Sequence, residues 1–227
     1  MKTAIWTILV GGILLVSLPE KLAADTIYTN FGPGDTFDTT VSWTVGGNGF
    51  GVGQNVGGSF RVGPTNMLFD SAQIAVFYSF GPPSLTLGIY SNDGSNLPGS
   101  LLQSLTVTNV FKPNVPLVVT FKPTAPLILE ANTTYWLASA EPLTSAFGWY
   151  FNNTSQFGVA VNQNQGPWSF KGATNATPAF RINGTPEASP VPEPASLTLV
   201  AIGLTSLLSF RGLRNRSGHR VPPEQNR

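Results

Sequence analysis

The chain has 227 residues, 12 Lys and Arg against 11 Asp and Glu, a formal charge of +1, one histidine and no cysteine. The lack of cysteine excludes disulfides, thiolate metal sites and cysteine nucleophiles, and the one histidine, His219, leaves residues 25–190 without an imidazole for base catalysis or metal ligation. In that stretch five bases (Arg61, Lys112, Lys122, Lys171, Arg181) stand against eight acids (Asp25, Asp35, Asp38, Asp70, Asp93, Glu130, Glu141, Glu187), a balance of −3, so no basic face is available for nucleic acid.

Residues 1–24 read as a secretory signal peptide. Lys2 gives a minimal positive start, Ala4 to Leu18 is apolar, and Leu22-Ala23-Ala24 is a cleavage site before Asp25. An uncleaved anchor is the alternative. Pro19-Glu20-Lys21 interrupts the apolar helix where a span needs to continue, which favours cleavage.

Residues 25–184 read as an all-β ectodomain. Aromatic and β-branched runs alternate with Gly, Pro, Asn and Asp, and no apolar 3.6-residue period is sustained. The expected strands are Thr39–Val45, Gly58–Val62, Met67–Phe80, Ser84–Tyr90, Leu101–Val107, Leu117–Lys122, Tyr135–Ala140, Ala146–Tyr150, Phe157–Val161 and Ala179–Asn183. Such a series of short strands implies a jelly-roll-like β-sandwich. Leu85, Leu87 and Ile89 alternate onto one face, as do Leu117, Val119 and Phe121. Ser91-Asn92-Asp93-Gly94-Ser95 and Pro98-Gly99 are turn signals. Six glycines fall between Val45 and Gly58, so this stretch reads as a loop, either a plain mobile connection or one facing a ligand. Residues 185–190 read as a short linker.

The C-terminal segment has three parts. Pro192-Glu193-Pro194 opens it, and the two prolines hold the backbone extended. An apolar run of 14 residues, Leu197 to Phe210, follows, and then Arg211, Arg214 and Arg216. The run is short for a span, which wants roughly 20 residues, but the arginines suit the cytoplasmic side of one. It carries no polar stripe of helical period, which disfavours a docked amphipathic helix. Residues 191–216 resemble the PEP-CTERM sorting signal read by exosortases. That resemblance implies recognition through Pro192, Glu193 and Pro194, a transmembrane helix oriented by Arg211, Arg214 and Arg216, and cleavage by an exosortase-like enzyme. Residues 217–227 form a polar tail beyond the point where such chains usually stop.

The middle of the chain carries a second resemblance. The stretches Leu85–Val107 (LTLGIYSNDGSNLPGSLLQSLTV) and Pro126–Pro142 (PLILEANTTYWLASAEP), with Thr134-Tyr135-Trp136 and the later Gly148-Trp149-Tyr150, are similar to the choice-of-anchor R type domain. Asn132 stands where that family usually has Gly, and Asn also tolerates the left-handed conformation. The resemblance implies an extracellular β-rich domain defined by its surface anchors and without a known activity.

Catalytic and metal chemistry find little purchase. A Ser-His-Asp triad needs a histidine. A glycosidase needs two carboxylates flanking a sugar, whereas Asp70, Asp93, Glu130 and Glu141 are placed as surface residues at strand ends or turns. The glycine-rich stretch lacks the helix and lysine of a phosphate-binding loop. Asp93 in its turn, and the pair Asp35 and Asp38, offer too few carboxylates for calcium and read as backbone-capping turns. No cofactor and no metal is expected.

Carbohydrate binding is the strongest ligand chemistry on offer. Sugars stack on exposed aromatic faces bordered by amides, and the chain has Trp43, Trp136, Trp149 and Trp168, with polar runs at 152–156 and 162–165. Trp136 and Trp149 alternate with apolar neighbours and read as core. Trp168, in the turn-like Gln165-Gly166-Pro167-Trp168-Ser169, is the expected stacking residue. Five Asn-x-Ser/Thr sequons, at Asn132, Asn152, Asn153, Asn175 and Asn183, read as an Asn- and Thr-rich surface. The sequence as a whole implies a non-enzymatic structural or adhesive protein of the cell surface or exopolysaccharide matrix, which reaches it through an inner-membrane intermediate. A carbohydrate-binding module of the matrix is the alternative, and a secreted hydrolase comes third.

Overall fold

A computed structural model of the chain describes residues 24–46, 53–108, 111–140, 145–172 and 174–187. The chain divides into two compact units, 1–187 and 188–227, and the described residues belong to the first. Residues 1–23 of the expected signal peptide, the apolar run expected to span the membrane and the polar tail lie outside them. Among the described residues no helix is long and apolar enough to cross a membrane.

The described fold is all-β. Its strands are β1 (Asp25–Thr29), β2 (Asp38–Gly46), β3 (Gln54–Arg61), β4 (Met67–Phe80), β5 (Ser84–Asn92), β6 (Pro98–Thr108), β7 (Leu117–Phe121), β8 (Ile128–Leu129), β9 (Thr134–Ser139), β10 (Ala146–Phe151), β11 (Val159–Gln163), β12 (Trp168–Phe170) and β13 (Phe180–Pro186). They form one curled antiparallel sheet in the order β1-β13-β4-β10-β2-β3-β9-β5-β6. β7 and β8 add to β4, β11 adds to β3, and β12 adds to β11. A single pair, Gly46 with Gln54, joins β2 to β3 at the bend.

The curl is held by what alternate residues place inside it. Leu85, Leu87 and Ile89 of β5 are buried, as are Ile74 and Val76 of β4, Val119 and Phe121 of β7, and Val159 and Val161 of β11. Each such side chain contributes roughly 1.5–3 kcal/mol on burial. The two arms meet through aromatic rings. Phe60 of β3 lies 6.3 Å from Tyr28 of β1 and 6.4 Å from Phe180 of β13, and Tyr28 and Phe180 are 4.9 Å apart.

Three differences from the expected strands have clear physical causes. β3 begins at Gln54, four residues before the expected strand at Gly58, and so takes in Gly57, which the sequence places in a loop. A Cβ on Gly57 would lie 2.7 Å from the Ala138 Cβ, and one on Gly58 would lie 2.6 Å from the Phe180 ring, so close packing requires both glycines. β1, β8 and β12 were not expected. β1 is held by β13 through a register from Asp25–Gly184 to Thr29–Arg181. β13 itself continues to Pro186, two residues into the expected linker, and the Glu187 N–H donates to the Asn66 carbonyl at 2.9 Å. Asn132 has φ of 56° and so does adopt the left-handed turn conformation before β9.

Candidate functional site

β12 is the short strand that carries Trp168. Asn162, Val161 and Ala160 of β11 pair with Trp168, Ser169 and Phe170. β11 in turn lies on β3, with Ala160 opposite Gly57, and Gly57 lies opposite Ala138 of β9. Ala138 pairs with Gly88 of β5. A row of small residues therefore runs across the face of these strands turned away from the main core, since partners across an antiparallel pair share a face.

Larger rings lie over this row. A Cβ on Gly88 would lie 2.5 Å from the Tyr90 ring and 2.6 Å from Leu101 Cδ1, so both side chains cover that glycine. The Trp168 and Tyr90 rings meet edge to face, with centroids 6.1 Å apart and planes at 71°. Burial raises the Tyr90 phenol above its ordinary pKa of 10.0. Trp136, opposite Tyr90 across β9 and β5, is fully buried and donates its indole N–H to Asn92 Oδ1 at 3.1 Å. An aromatic layer of Tyr90, Trp136 and Trp168 thus packs on a floor of glycine and alanine.

Trp168 differs from its expectation in two ways. It opens a strand instead of lying in a turn, and it is half-buried against Tyr90 instead of standing free. Phe170, two residues along the same strand and on the same face, is 46 % exposed, and Phe157 is 54 % exposed. Beside Trp168, Asn162 donates from Nδ2 to the Gly166 carbonyl and bridges the β11–β12 turn. Its Oδ1 is buried without a hydrogen-bond partner. Neither Tyr90 nor Phe170 was singled out in the sequence. Tyr90 and Trp168 meet from strands distant in the chain, and no local spacing reports their contact.

The other outer face carries its own aromatic cover. Phe31, Phe37, Phe77 and Tyr150 cluster over Ala75 and Ala179. Arg181 lies over the Phe31 ring at 5.5 Å, pairs with Asp35 and donates to Gln73 Oε1 at 3.1 Å. Trp149, expected in the core, is there, with its indole N–H on the Ala179 carbonyl at 2.9 Å.

The carboxylates are dispersed and serve local tasks. Asp93 Oδ1 accepts the N–H groups of Ser95 and Leu97 at 2.7 and 3.0 Å. Asp38 Oδ1 accepts from the hydroxyl and the N–H of Thr40 at 2.6 and 2.8 Å, and these bonds hold its carboxyl below the usual range. Asp35 turns to Arg181, so Asp35 and Asp38 do not converge. Asp70 accepts from the Ser71 hydroxyl, and Glu187 from the Asn66 amide. Among the described residues no three His, Cys, Asp or Glu side chains come together.

Asn152 departs most from expectation. It is buried and makes a network in place of a surface sequon. Its Nδ2 donates to Gln156 and Thr177, and its Oδ1 accepts from Thr154 and Gln156. Pro192, Glu193, Pro194, Arg211, Arg214 and Arg216, the expected sorting residues, lie outside the described residues.

No family model matches this chain, and no curated protein matches it either.

Proposed function

We propose that the protein is an exported structural or adhesive component of the cell surface or exopolysaccharide matrix, sorted by its C-terminal segment. In this account the signal peptide is removed before Asp25. The apolar run Leu197–Phe210 then holds the chain in the inner membrane, with Arg211, Arg214 and Arg216 on the cytoplasmic side. An exosortase-like enzyme recognises Pro192, Glu193 and Pro194 and releases the ectodomain, a jelly-roll-like β-sandwich of the choice-of-anchor R type. The ectodomain does no catalysis.

One observation supports this reading above the others. β1 starts at Asp25 and pairs with β13, the last described strand, where Asp25 and Gly184 are direct neighbours. A domain whose first and last strands zip together at one edge tolerates processing at both ends, because neither cut removes a core strand. The test is to replace Pro192, Glu193 and Pro194 by Ala in the native host. The altered protein should accumulate in the membrane fraction. Unchanged release to the surface or medium would refute the sorting step.

A carbohydrate-binding module of the matrix is the second function, favoured by one local arrangement. β12 presents Trp168 and the 46 % exposed Phe170 on one face beside the half-buried Asn162 side chain. Apolar ring faces next to an amide suit a saccharide. Glycan arrays of the wild-type protein and of Trp168→Ala, each checked for folding by circular dichroism, separate the two functions. Binding that is lost on substitution supports the module, and no binding to any glycan removes it.

A further inference from the structure

Five asparagines stand in Asn-x-Ser/Thr triplets, the acceptor pattern for N-linked glycans, and the fold treats one of them differently. The side-chain nitrogen of such an asparagine is the nucleophile in glycan transfer, so it must be accessible and free of other bonds. Asn152 is buried, and its Nδ2 donates to Gln156 and Thr177. Asn153 donates from Nδ2 to Thr36 Oγ1 at 2.9 Å, and Asn183 to Ser71 Oγ at 3.2 Å. Asn175 donates from Nδ2 to the Lys171 carbonyl. Asn132 is exposed, and its side chain makes no hydrogen bond among the described residues.

Asn132 lies in the turn between β8 and β9, with φ of 56°. Its backbone N–H donates to the Gly63 carbonyl at 2.8 Å, and the Ala131 N–H donates to Asn66 Oδ1 at 2.9 Å. The turn is therefore fastened to the β3–β4 connection through main-chain N–H groups, and the Asn132 amide takes no part in holding it. The hydroxyl two residues on, Thr134 Oγ1, also has no partner among the described residues. The corresponding hydroxyls after Asn152 and Asn175, those of Thr154 and Thr177, are engaged. Glu130, two residues before Asn132, is exposed, and its carboxylate has no partner among the described residues. At that place the other four triplets have Tyr150, Phe151, Ala173 and Arg181, none of them an acid. A free carboxylate there gives an arginine or lysine of a transferase a charged handle beside the acceptor.

We infer that Asn132 is an N-glycosylation acceptor, recognised through Glu130-Ala131-Asn132-Thr133-Thr134 by an oligosaccharyltransferase. The co-substrate is a polyprenyl-diphosphate-linked oligosaccharide. Asn132 Nδ2 attacks the anomeric carbon, and the C1–Nδ2 bond forms as the C1–O bond to the diphosphate breaks. The electron pair of that bond leaves with the diphosphate, and Nδ2 gives up one proton to a base of the transferase. A glycan at Asn132 breaks no side-chain hydrogen bond of the fold, whereas one at any of the other four asparagines does. The inference rests on the export proposed above, which carries the chain across the membrane, and does not depend on the sorting step.

The test is peptide mapping of the protein recovered from its native host. Cleavage after glutamate gives the peptide 131–141, which holds Asn132 and no other acceptor, and the peptide 142–187, which holds the other four. The first should carry the added mass of a glycan and the second none. Asn132→Gly, which suits the left-handed turn, and Thr134→Ala should each lose the modification, with circular dichroism unchanged. Glu130→Gln, read by intact mass, should lower its occupancy. An unmodified 131–141 peptide on a chain that starts at Asp25 overturns the inference and leaves export standing. A glycan on 142–187 in place of 131–141 also overturns it, because the free amide would then not decide the site. A chain that keeps residues 1–24 counts against export instead. The folded protein is then given a purified oligosaccharyltransferase and an oligosaccharide on undecaprenyl diphosphate. Transfer to Asn132 alone supports the assignment, and no transfer removes it.

Discussion

The side-chain amide of Asn152 donates to both oxygens of Thr177, the carbonyl at 2.7 Å and the hydroxyl at 2.9 Å, while its own backbone N–H donates to the same carbonyl at 3.1 Å. Asn30 joins from the other side, donating to Thr177 Oγ1 at 3.1 Å and accepting from the Phe180 N–H at 2.6 Å. The residues after β1, after β10 and before β13 are tied together at this point. Asn152→Ala removes the acceptor of the Thr154 and Gln156 N–H groups and a donor to Gln156 and Thr177, each lost hydrogen bond costing about 0.5–1.5 kcal/mol. The loss should total about 3 kcal/mol, with a fall in Tm of about 6–12 °C. A melt within a degree of wild type would show that water replaces the amide.

Gly57 and Ala138 face each other with no room for another carbon. Gly57→Ala places a Cβ 2.7 Å from the Ala138 Cβ and 3.1 Å from the Leu137 carbonyl. Overpacking of this kind costs about 1–3 kcal/mol. Ala138→Gly in the same chain should recover part of the loss, because it removes one of the two clashing atoms. Chemical denaturation of the two single variants and the double variant measures the coupling. Simple additivity would contradict the packing described.

The phenol of Tyr28 responds to alkali. Burial pushes its pKa up from 10.0 to about 12, and its hydroxyl donates to Gln156 Oε1. In the unfolded chain the phenol ionises near pH 10, while in the fold it keeps its proton. The unfolded state therefore binds fewer protons above pH 10, and stability falls as pH rises. The contribution is intact below pH 10 and is lost between about pH 10 and 12, to the extent of about 2 kcal/mol. Tyr90 and Tyr150 shift in the same direction for the same reason. Stability measured from pH 8 to pH 11 should decline more steeply in the wild type than in Tyr28→Phe. Parallel curves would contradict this assignment.

The contact of Trp168 with Tyr90 joins two distant strands and can be tested. Trp168→Ala removes a half-buried ring and exposes one side of Tyr90, at a cost of about 1–3 kcal/mol. Tyr90→Ala should cost a similar amount. The double variant should cost less than the sum by about 0.5–1.5 kcal/mol, the part that belongs to the edge-to-face contact. Full additivity would mean that the two rings do not touch in solution.

Much of the strand pattern was legible because period-two alternation is a local signal. Met67–Phe80 matches β4 at both ends, and Leu85, Leu87 and Ile89 are buried as their spacing requires. Trp136 and Trp149 were legible as buried for the same reason, although Trp136 packs on the outer face and Trp149 in the main core. What was not legible depends on distant partners. Gly57 looks like a loop residue until Ala138 arrives against it. β12 is three residues long and exists only because Val161 and its neighbours offer an edge. Asn152 carries no local sign that distinguishes it from Asn153 beside it, and only the approach of Thr177 makes it a buried hub.

The proposal that the chain is exported, sorted and released can be tested most directly by the intact mass of the protein recovered from the native cell surface or medium. The account predicts an N-terminus at Asp25 and a C-terminus between residues 190 and 196. A mass that retains Leu197–Arg227 would contradict it and make the protein a permanently tethered ectodomain.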